Sequence, residues 1–257
     1  MTLASWNVNS LRVRLPQVLD WLAAHQPDLV GLQETKLQDG NFPVAELNAA
    51  GYNVVANGQK TYNGVALLAR QPLQAVEVVR ELPDFDDPQR RVLAATCGDL
   101  RFINLYVPNG AEVGSDKFRY KLDWLDALSA YLQQQLQRYP NLVVVGDFNI
   151  APEDRDVHDP QLWQGSVLVS EPEREKFRQL LGLGLQDSFR LFEQPEGSYS
   201  WWDYRAAAFR RNRGLRIDHI LVSNNLADRV TGSTIDTAPR KLERPSDHAP
   251  VVATVQL

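Results

Sequence analysis

Cysteine is almost missing from this chain, which has Cys97 alone among 257 residues. One cysteine cannot form an internal disulfide, so we expect a reducing, cytoplasmic location. The shortage also disfavours a structural zinc site and other sites built on thiolate ligands. Any metal is therefore expected to be held by oxygen ligands.

Long apolar runs are also missing. No stretch approaches the roughly 18 residues that a membrane-spanning helix needs, and the first residues, "MTLASWNVNSLRVR", lack a basic segment followed by an apolar one. We expect a protein that is neither exported by a signal peptide nor bound to a membrane. No Gly/Ser linker or fixed-period repeat divides the sequence, so we predict one domain over residues 1–257. We also expect a monomer.

An excess of basic charge is the third absence, since the formal net charge is −5. Proteins that coat nucleic acid neutralise many phosphates, and this composition disfavours that behaviour. The segment "RAAAFRRNRGLR" nevertheless holds five arginines and no acid. It is either a local basic face or an ordinary solvated loop.

What the sequence does contain is a series of short apolar segments bounded by turn residues, which predicts buried strands: "LVGLQE", "GVALLA", "RFINLYVP", "LVVVGDFN", "RIDHILVS" and "VVATVQL". Helices are predicted from Pro16 to about Ala24, from Lys117 to Tyr139, and after a Ser-x-x-Glu capping signal in "SEPEREKFRQLLGLG". Other strand patterns follow one another with only turn-sized gaps. This mixture favours an α/β fold of packed sheets flanked by helices over a doubly wound parallel sheet.

Polar residues recur where the apolar strands end, and several belong together chemically: Asn7, Glu34, Tyr106, Asn109, Asp147, Asn149, Asp218, Asp247 and His248. Asn and Asp are common turn residues, so each one alone has an ordinary structural explanation. As a group they are costly to desolvate unless they converge on a metal, a ligand or one another. The pattern predicts a functional site at the strand ends.

Oxygen-bearing side chains in this group suit Mg²⁺ or Mn²⁺, with Glu34, Asp247 and Asn7 as the candidate ligands. Asp147 and Asn149 are two residues apart, so a regular strand would put an acceptor and a donor on one face.

His248 needs a carboxylate to fix its tautomer, and Asp218 is the natural partner; alternatively, His248 only caps a turn. His219 shares a face with apolar residues, and we interpret it as a packing histidine.

Eight motifs carry a family resemblance over essentially the whole chain: "SWNVNSLR", "LQETK", "NGVALLAR", "YVPNG", "GDFNIAP", "SWWDYR", "NRGLRIDHILVS" and "PSDHAPV". In order and spacing they resemble the exonuclease III type of abasic-site endonucleases, within the endonuclease/exonuclease/phosphatase superfamily. The resemblance implies a four-layer α/β sandwich of two mixed sheets flanked by helices. "GDFN" and "SDH" mark only the superfamily, whereas "LQETK", "WWDYR" and "NRGLRID" indicate the DNA repair branch.

By the same resemblance, Glu34 is the main metal ligand, assisted by Asn7 and Asp247. Asp147 would align or deprotonate the attacking water, and Asp218 would orient His248. The residues that would hold the scissile phosphate are Asn149, Tyr106 and His248. Which group acts as the base is left open.

The resemblance also implies substrate-binding residues. Trp201, Leu215 and Ile217 would line a pocket for the base-less sugar, although Leu215 stands where other members carry a second aromatic. Independently of the resemblance, we expect the idiosyncratic loop after Tyr106 to contact DNA through Asn109 and Lys117, and the arginine segment to do so through Arg213.

We therefore expect an Mg²⁺-dependent DNA repair phosphodiesterase that cuts duplex DNA on the 5′ side of an abasic site, trims 3′ ends, or does both. Two alternatives remain. One is a phosphatase of lipid or inositol phosphates with the same core, which would not need the Trp-rich segment. The other is a DNA-binding module without chemistry, which would not need the acidic and histidine residues.

Overall fold

Two six-stranded β-sheets form the centre of the protein, as seen in a computed structural model that describes residues 1–257. The strands are β1 (Thr2–Asn7), β2 (Leu29–Gln33), β3 (Tyr52–Asn57), β4 (Val65–Arg70), β5 (Val76–Val79), β6 (Val92–Cys97), β7 (Leu100–Tyr106), β8 (Leu142–Asp147), β9 (Leu185–Asp187), β10 (Asp218–Ser223), β11 (Val230–Ile235) and β12 (Val251–Val255). The α-helices are α1 (Leu11–His25), α2 (Val44–Ala49), α3 (Asp116–Arg138), α4 (Pro160–Trp163), α5 (Glu171–Gly182) and α6 (Asn224–Ala227).

The two sheets have the same internal plan. Their strand orders are β11-β12-β1-β2-β4-β3 and β5-β6-β7-β8-β10-β9. Each has one parallel pair, β1 with β2 and β7 with β8, and every other neighbour is antiparallel. Helix α1 connects the first parallel pair and α3 connects the second. Both sheets are therefore mixed, as the sequence predicted.

Three apolar clusters build the layers. The cluster between the sheets combines residues such as Leu3 and Leu67 with Phe102 and Val145. A second cluster packs α1 on the outer face of the first sheet, and a third packs α3 and α5 on the outer face of the second. The predicted four-layer α/β sandwich is confirmed. Both halves of the chain contribute to the inter-sheet core, which supports the single domain that we predict.

Helix termini follow local signals, with one exception. The side chain of Ser115 accepts a hydrogen bond from the Phe118 N–H at the start of α3, and Ser170 and Glu173 form the predicted capping box of α5. Helix α1, in contrast, begins at Leu11, and Pro16 lies inside it rather than at its start. The proline removes one backbone donor, and burial of Leu11, Val18, Trp21 and Leu22 outweighs that loss.

Candidate active site

Strand direction brings the polar strand ends together. Asn7 ends β1, and Glu34 directly follows the parallel strand β2. In the second sheet Tyr106 and Asp147 are paired at the ends of the parallel strands β7 and β8. Asp218 is the first residue of β10 and pairs with Asp147, because β10 runs antiparallel to β8. The ends of both sheets thus form one acidic site.

Asn7 connects the two sheets within this site. Its Nδ2 donates to Glu34 Oε1 and to Asp147 Oδ2, both at 2.9 Å, and its Oδ1 accepts from the Asn9 N–H at 3.0 Å. The amide therefore presents its nitrogen, not its oxygen, to the carboxylates. A role as a metal ligand through Oδ1 stays a prediction that would require the amide to turn.

His248 forms the pair that the sequence predicted. Its Nδ1 lies 2.8 Å from Asp218 Oδ2, and its Nε2 lies 3.7 Å from Asp147 Oδ2. Burial alone would lower the pKa of His248, but the carboxylates of Asp218 and Asp147 outweigh burial and raise that pKa above its ordinary value. The Nδ1 atom of His248 is thus bonded to the Asp218 carboxylate, whereas its Nε2 atom is too far from Asp147 for a hydrogen bond.

Asp147 is 1% exposed, and burial raises the pKa of its carboxyl, opposed by the charge of His248. The strand stops at this residue, so the regular spacing expected for Asp147 and Asn149 does not hold. Asn149 has a left-handed backbone, φ 50°, and its N–H bonds to Asp147 Oδ1 at 2.9 Å. Its side-chain Nδ2 donates to the Val107 carbonyl, and its Oδ1 accepts from Asn109 Nδ2 at 3.3 Å.

The hydroxyl of Tyr106 is beside Glu34. Burial, with the charges of Glu34 and Asp147, raises the pKa of Tyr106 well above its usual value of 10. The guanidinium of Arg91 lies 4.7 Å from the centre of the Tyr106 ring. Tyr106 is therefore a neutral hydroxyl donor at the carboxylate cluster.

A divalent cation fits this donor set. Ligand atoms of Glu34, Asp147 and His248 lie within 4.8 Å of one another, and carboxylate oxygens are the ligands that hard cations prefer. Asp247, predicted as an assisting ligand, is held elsewhere in the site: its carboxylate accepts from Asn9 Nδ2 and from Trp201 Nε1, both at 3.0 Å. Its direct ligation stays a prediction.

Three further residues of the site, Lys36, Asn9 and Ser200, were given no role from the sequence. Lys36 Nζ lies 3.0 Å from Glu34 Oε2 and donates to Asn9 Oδ1 at 2.6 Å. The buried hydroxyl of Ser200 donates to Asp218 Oδ2 at 2.7 Å. The "LQETK" motif contained Lys36, but nothing in the sequence placed Asn9 or Ser200 beside its partner.

An open cleft of about 500 Å³ lies along the loop that follows β7; its lining includes Lys117, Arg91 and Tyr62, and also Asn109, which bonds to Asn149 of the site. Asn109 and Lys117 are exposed there. The cleft carries two cationic side chains and an exposed aromatic ring next to the site, a composition suited to an anionic chain with stacking groups.

The residues predicted for the sugar pocket are adjacent in space. Trp201 forms backbone bridges with Leu215 and His248, and its ring lies 6.5 Å from that of Trp163, edge to face. Leu215 and Ile217 are 0% and 1% exposed, in a small apolar cluster with Trp201 at its border. The two aliphatic side chains are closed off in this arrangement, so their contact with a sugar stays a prediction. Arg213 is exposed on the arginine segment nearby.

Comparison with known proteins adds to this geometry. Residues 4–248 match the family model of the endonuclease/exonuclease/phosphatase family. The chain belongs to this family. An exodeoxyribonuclease III of Haemophilus influenzae is 38% identical and covers 98% of this chain and 99% of its own.

Solved structures of the family agree over the whole chain. The 3′ phosphatase NExo from Neisseria, bound to product DNA hairpin, matches with a TM-score of 0.97 and 48% identity, covering 100% of both chains. An AP endonuclease from Archaeoglobus fulgidus matches with a TM-score of 0.95 and 37% identity, again covering 100% of both. The resemblance to the exonuclease III type of this family is confirmed. No helix has the length and apolar character to cross a membrane.

Proposed function

We propose that this protein is a divalent-cation-dependent hydrolase that removes 3′-blocking groups and nucleotides from duplex DNA and cuts the strand on the 5′ side of abasic sites. The full-length similarity to an exodeoxyribonuclease III and to an AP endonuclease makes it a DNA repair nuclease. The activity at 3′ ends is proposed from the similarity to a 3′ phosphatase, and the activity at abasic sites from the similarity to the AP endonuclease. Mg²⁺ is the proposed cation, a monomer the proposed state and the cytoplasm the proposed location.

The observation that carries the proposal is the convergence of Asp147 and the His248–Asp218 pair with Glu34 at the ends of both sheets. A phosphoester is anionic and repels nucleophiles, so its hydrolysis needs positive charge and positioned donors. Glu34 would hold the divalent cation, which when bound would neutralise charge on the phosphoryl group.

Each of the chain's own groups has a separate task. The pKa of Asp147 is raised by burial, which brings this carboxylate closer to the range in which it can accept a proton from water. Asp218 keeps His248 protonated, so Nε2–H can donate to a phosphoryl oxygen while Nδ1–H stays bound to Asp218. The Tyr106 hydroxyl and the Asn149 amide supply neutral donors near the same point.

The first alternative, a phosphatase of inositol or lipid phosphates, needs no long binding surface. Here an open cleft lined by Lys117, Arg91 and Tyr62 lies along the loop after β7. The side chains of Arg210, Arg211 and Arg213 are exposed, whereas Arg216 of the same segment is buried in ion pairs with Asp156 and Asp187. Both features favour a DNA strand over a compact phosphate ester. The second alternative, a DNA-binding module without chemistry, leaves the buried acidic cluster without a task.

One assay tests the proposal. Product release would be followed from an abasic duplex, a duplex with a 3′-phosphate, an intact duplex and an inositol polyphosphate, each with Mg²⁺ and with excess chelator. With the cation we expect product from both damaged duplexes and release of nucleotides from the 3′ ends of the intact duplex; with excess chelator we expect none, and the inositol compound should give none in either case. Asp147→Asn is the catalytic control and should remove these activities. The proposal would be contradicted if the inositol compound were hydrolysed while the damaged duplexes stayed uncleaved. It would also be contradicted if no substrate gave product.

A further inference from the structure

A buried ion pair lies directly behind the site, outside the residues assigned so far. Lys121 on α3 and Glu173 on α5 are in contact, and both side chains are 0% exposed. Buried charges of this kind are costly and are kept only where other bonds complete them. The bonds of Lys121 are therefore informative about what it holds.

All three donors of the Lys121 ammonium are used. Besides Glu173, Nζ donates to the backbone carbonyl of Asn149 at 2.6 Å and to that of Asn109 at 3.1 Å. These two residues lie in the loops that follow β8 and β7. One ammonium thus joins the backbones of the two loops whose side chains reach the phosphate-binding region.

Glu173 completes the connection on its other side. Its carboxylate accepts from the backbone N–H groups of Leu168 and Ser170 and from the Ser170 hydroxyl. Leu168 belongs to the small apolar cluster that also contains Leu215 and Ile217. The pair therefore links the two phosphate-facing loops to the wall of the predicted sugar pocket.

The backbone of Asn149 gives this link a specific consequence. A non-glycine residue with φ 50° is held in an uncommon conformation, which the surrounding bonds must maintain. The carbonyl of this residue is the one that Lys121 binds at 2.6 Å. Releasing it would let the peptide turn and move the Asn149 side chain.

We propose that Lys121 is a positioning residue that, anchored by Glu173, fixes the Asn149 and Asn109 loops so that their side-chain amides are oriented for phosphate binding. The inference rests on the proposed function, because it assigns these amides to a phosphate. Because the Lys121 side chain is fully buried behind the two loops, it would act through them and not by direct contact with the substrate or the cation.

The test replaces Lys121 by Met, which keeps much of the side-chain volume without the donors. Because this change leaves the Glu173 carboxylate buried and unpaired, Lys121→Met is also made together with Glu173→Gln. Lys176→Met is the matched control: Lys176 on α5 pairs with Asp126 on α3, so it is also an ion pair between the two helices, but it contacts neither loop.

Single-turnover cleavage of the damaged duplex and ¹⁵N NMR of the asparagine side-chain amides would be measured for each folded variant. We expect turnover to fall by about 10- to 100-fold with a small change in KM. Displacing a substrate-positioning group by about 1 Å lowers the rate by a factor of that size. The Asn149 side-chain resonance should shift, and the Lys176→Met protein should match the wild type in both measurements.

A background with both Asn149→Ala and Asn109→Ala separates positioning from general stability. Because both positioned amides are absent there, the Lys121→Met change should cost little further turnover in that background; a full additional loss would overturn the proposal. An unchanged Asn149 resonance with normal turnover would overturn it as well. If the wild type cleaves none of the duplexes, the proposed function fails, while the NMR comparison still decides whether Lys121 orients Asn149.

Discussion

The Nδ1 atom of His248 lies 2.8 Å from Oδ2 of Asp218, although the two residues come from a loop before β12 and from the first position of β10. The same Asp218 oxygen accepts a hydrogen bond from Ser200. These bonds fix the orientation of the imidazole and leave its Nε2 on the side of Asp147, 3.7 Å away. The buried Asp218 carboxylate thus holds the His248 ring in one orientation, in which Nε2 is available as a hydrogen-bond donor.

Replacing Glu34 by Gln should lower cleavage by at least about 100-fold, because the amide keeps the shape but loses the charge that would hold the cation. Asp247→Asn is the informative comparison, since the Asp247 carboxylate bonds to Asn9 and Trp201. As an assisting ligand that also holds Asn9 and Trp201, Asp247 should when changed to Asn weaken the Mg²⁺ dependence less than Glu34→Gln does. Titration of cleavage rate against Mg²⁺ measures both; an equal weakening in Asp247→Asn would make Asp247 a main ligand like Glu34.

The adjacent residues Trp201 and Trp202 should respond in opposite ways to replacement by Ala. Trp202 is 1% exposed and packs 5.1 Å from the Phe209 ring, so its loss should cost about 3–5 kcal/mol of unfolding free energy. Trp201 is half-buried beside His248, so its loss should impair abasic-site cleavage with a smaller stability cost. Urea unfolding and cleavage assays on both variants check this; the reverse pattern would refute the assignment.

The exposed side chains of Arg210, Arg211 and Arg213 should contribute to DNA affinity through phosphates. Replacing all three by Ala should reduce the slope of log K against log salt by up to about 3, near one counterion per contact. Arg205→Ala is the control, because Arg205 is paired with Asp203. DNA binding measured over a series of salt concentrations distinguishes the two interpretations. An unchanged slope in the triple variant would show that the segment is a solvated loop that does not contact DNA.

His219 should make the protein less stable in mild acid. Burial, with the nearby charge of Arg216, lowers the pKa of His219 to about 4, and its Nδ1 faces Arg216 while Nε2 lies 2.8 Å from the Ile150 carbonyl. The unfolded chain, with a histidine pKa of about 6.5, binds the proton first, so stability is complete above that pH and falls as pH drops toward 4.

The expected contribution of His219 is a loss of about 2 kcal/mol between pH 7 and pH 5. Urea unfolding at both values should show a smaller loss for His219→Gln than for the wild type, the difference between the two proteins isolating this residue. In a proton NMR titration the His219 ring should stay neutral down to pH 5. A midpoint near 6.5 would contradict its buried, neutral state.

Much of the fold could be predicted from the sequence because a buried strand is a short apolar segment bounded by turn residues. The six apolar segments became β2, β4, β7, β8, β10 and β12, and the convergence of Glu34, Asp147 and Asp218 followed from strand ends lying at one edge. Strands β9 and β11 were missed: β9 has three residues, and β11 reads "VTGSTI" with Gly232 inside it, so neither has a strong apolar pattern.

The finer geometry of the site depends on contacts between distant residues and could not be predicted. Asn7 donates to Asp147, 140 positions away, and its amide orientation is set by the Asn9 N–H. Lys121 and Glu173 were simply two residues of amphipathic helices until the packing of α3 on α5 brought them behind the loops. The turn at Asn149 likewise depends on bonds to Asp147, Val107 and Lys121 rather than on local sequence.

The central claim is that His248 and Asp218 act as one unit in the chemical step, and a double-mutant cycle tests it most directly. Single-turnover cleavage of a damaged duplex would be measured for Asp218→Asn, His248→Asn and the double variant, with thermal melting followed by circular dichroism alongside. Each single variant should lose about 100-fold or more in rate, and the double variant should be little slower than His248→Asn alone. Additive losses in the rate, or lowered melting temperatures with unchanged rates, would contradict the account.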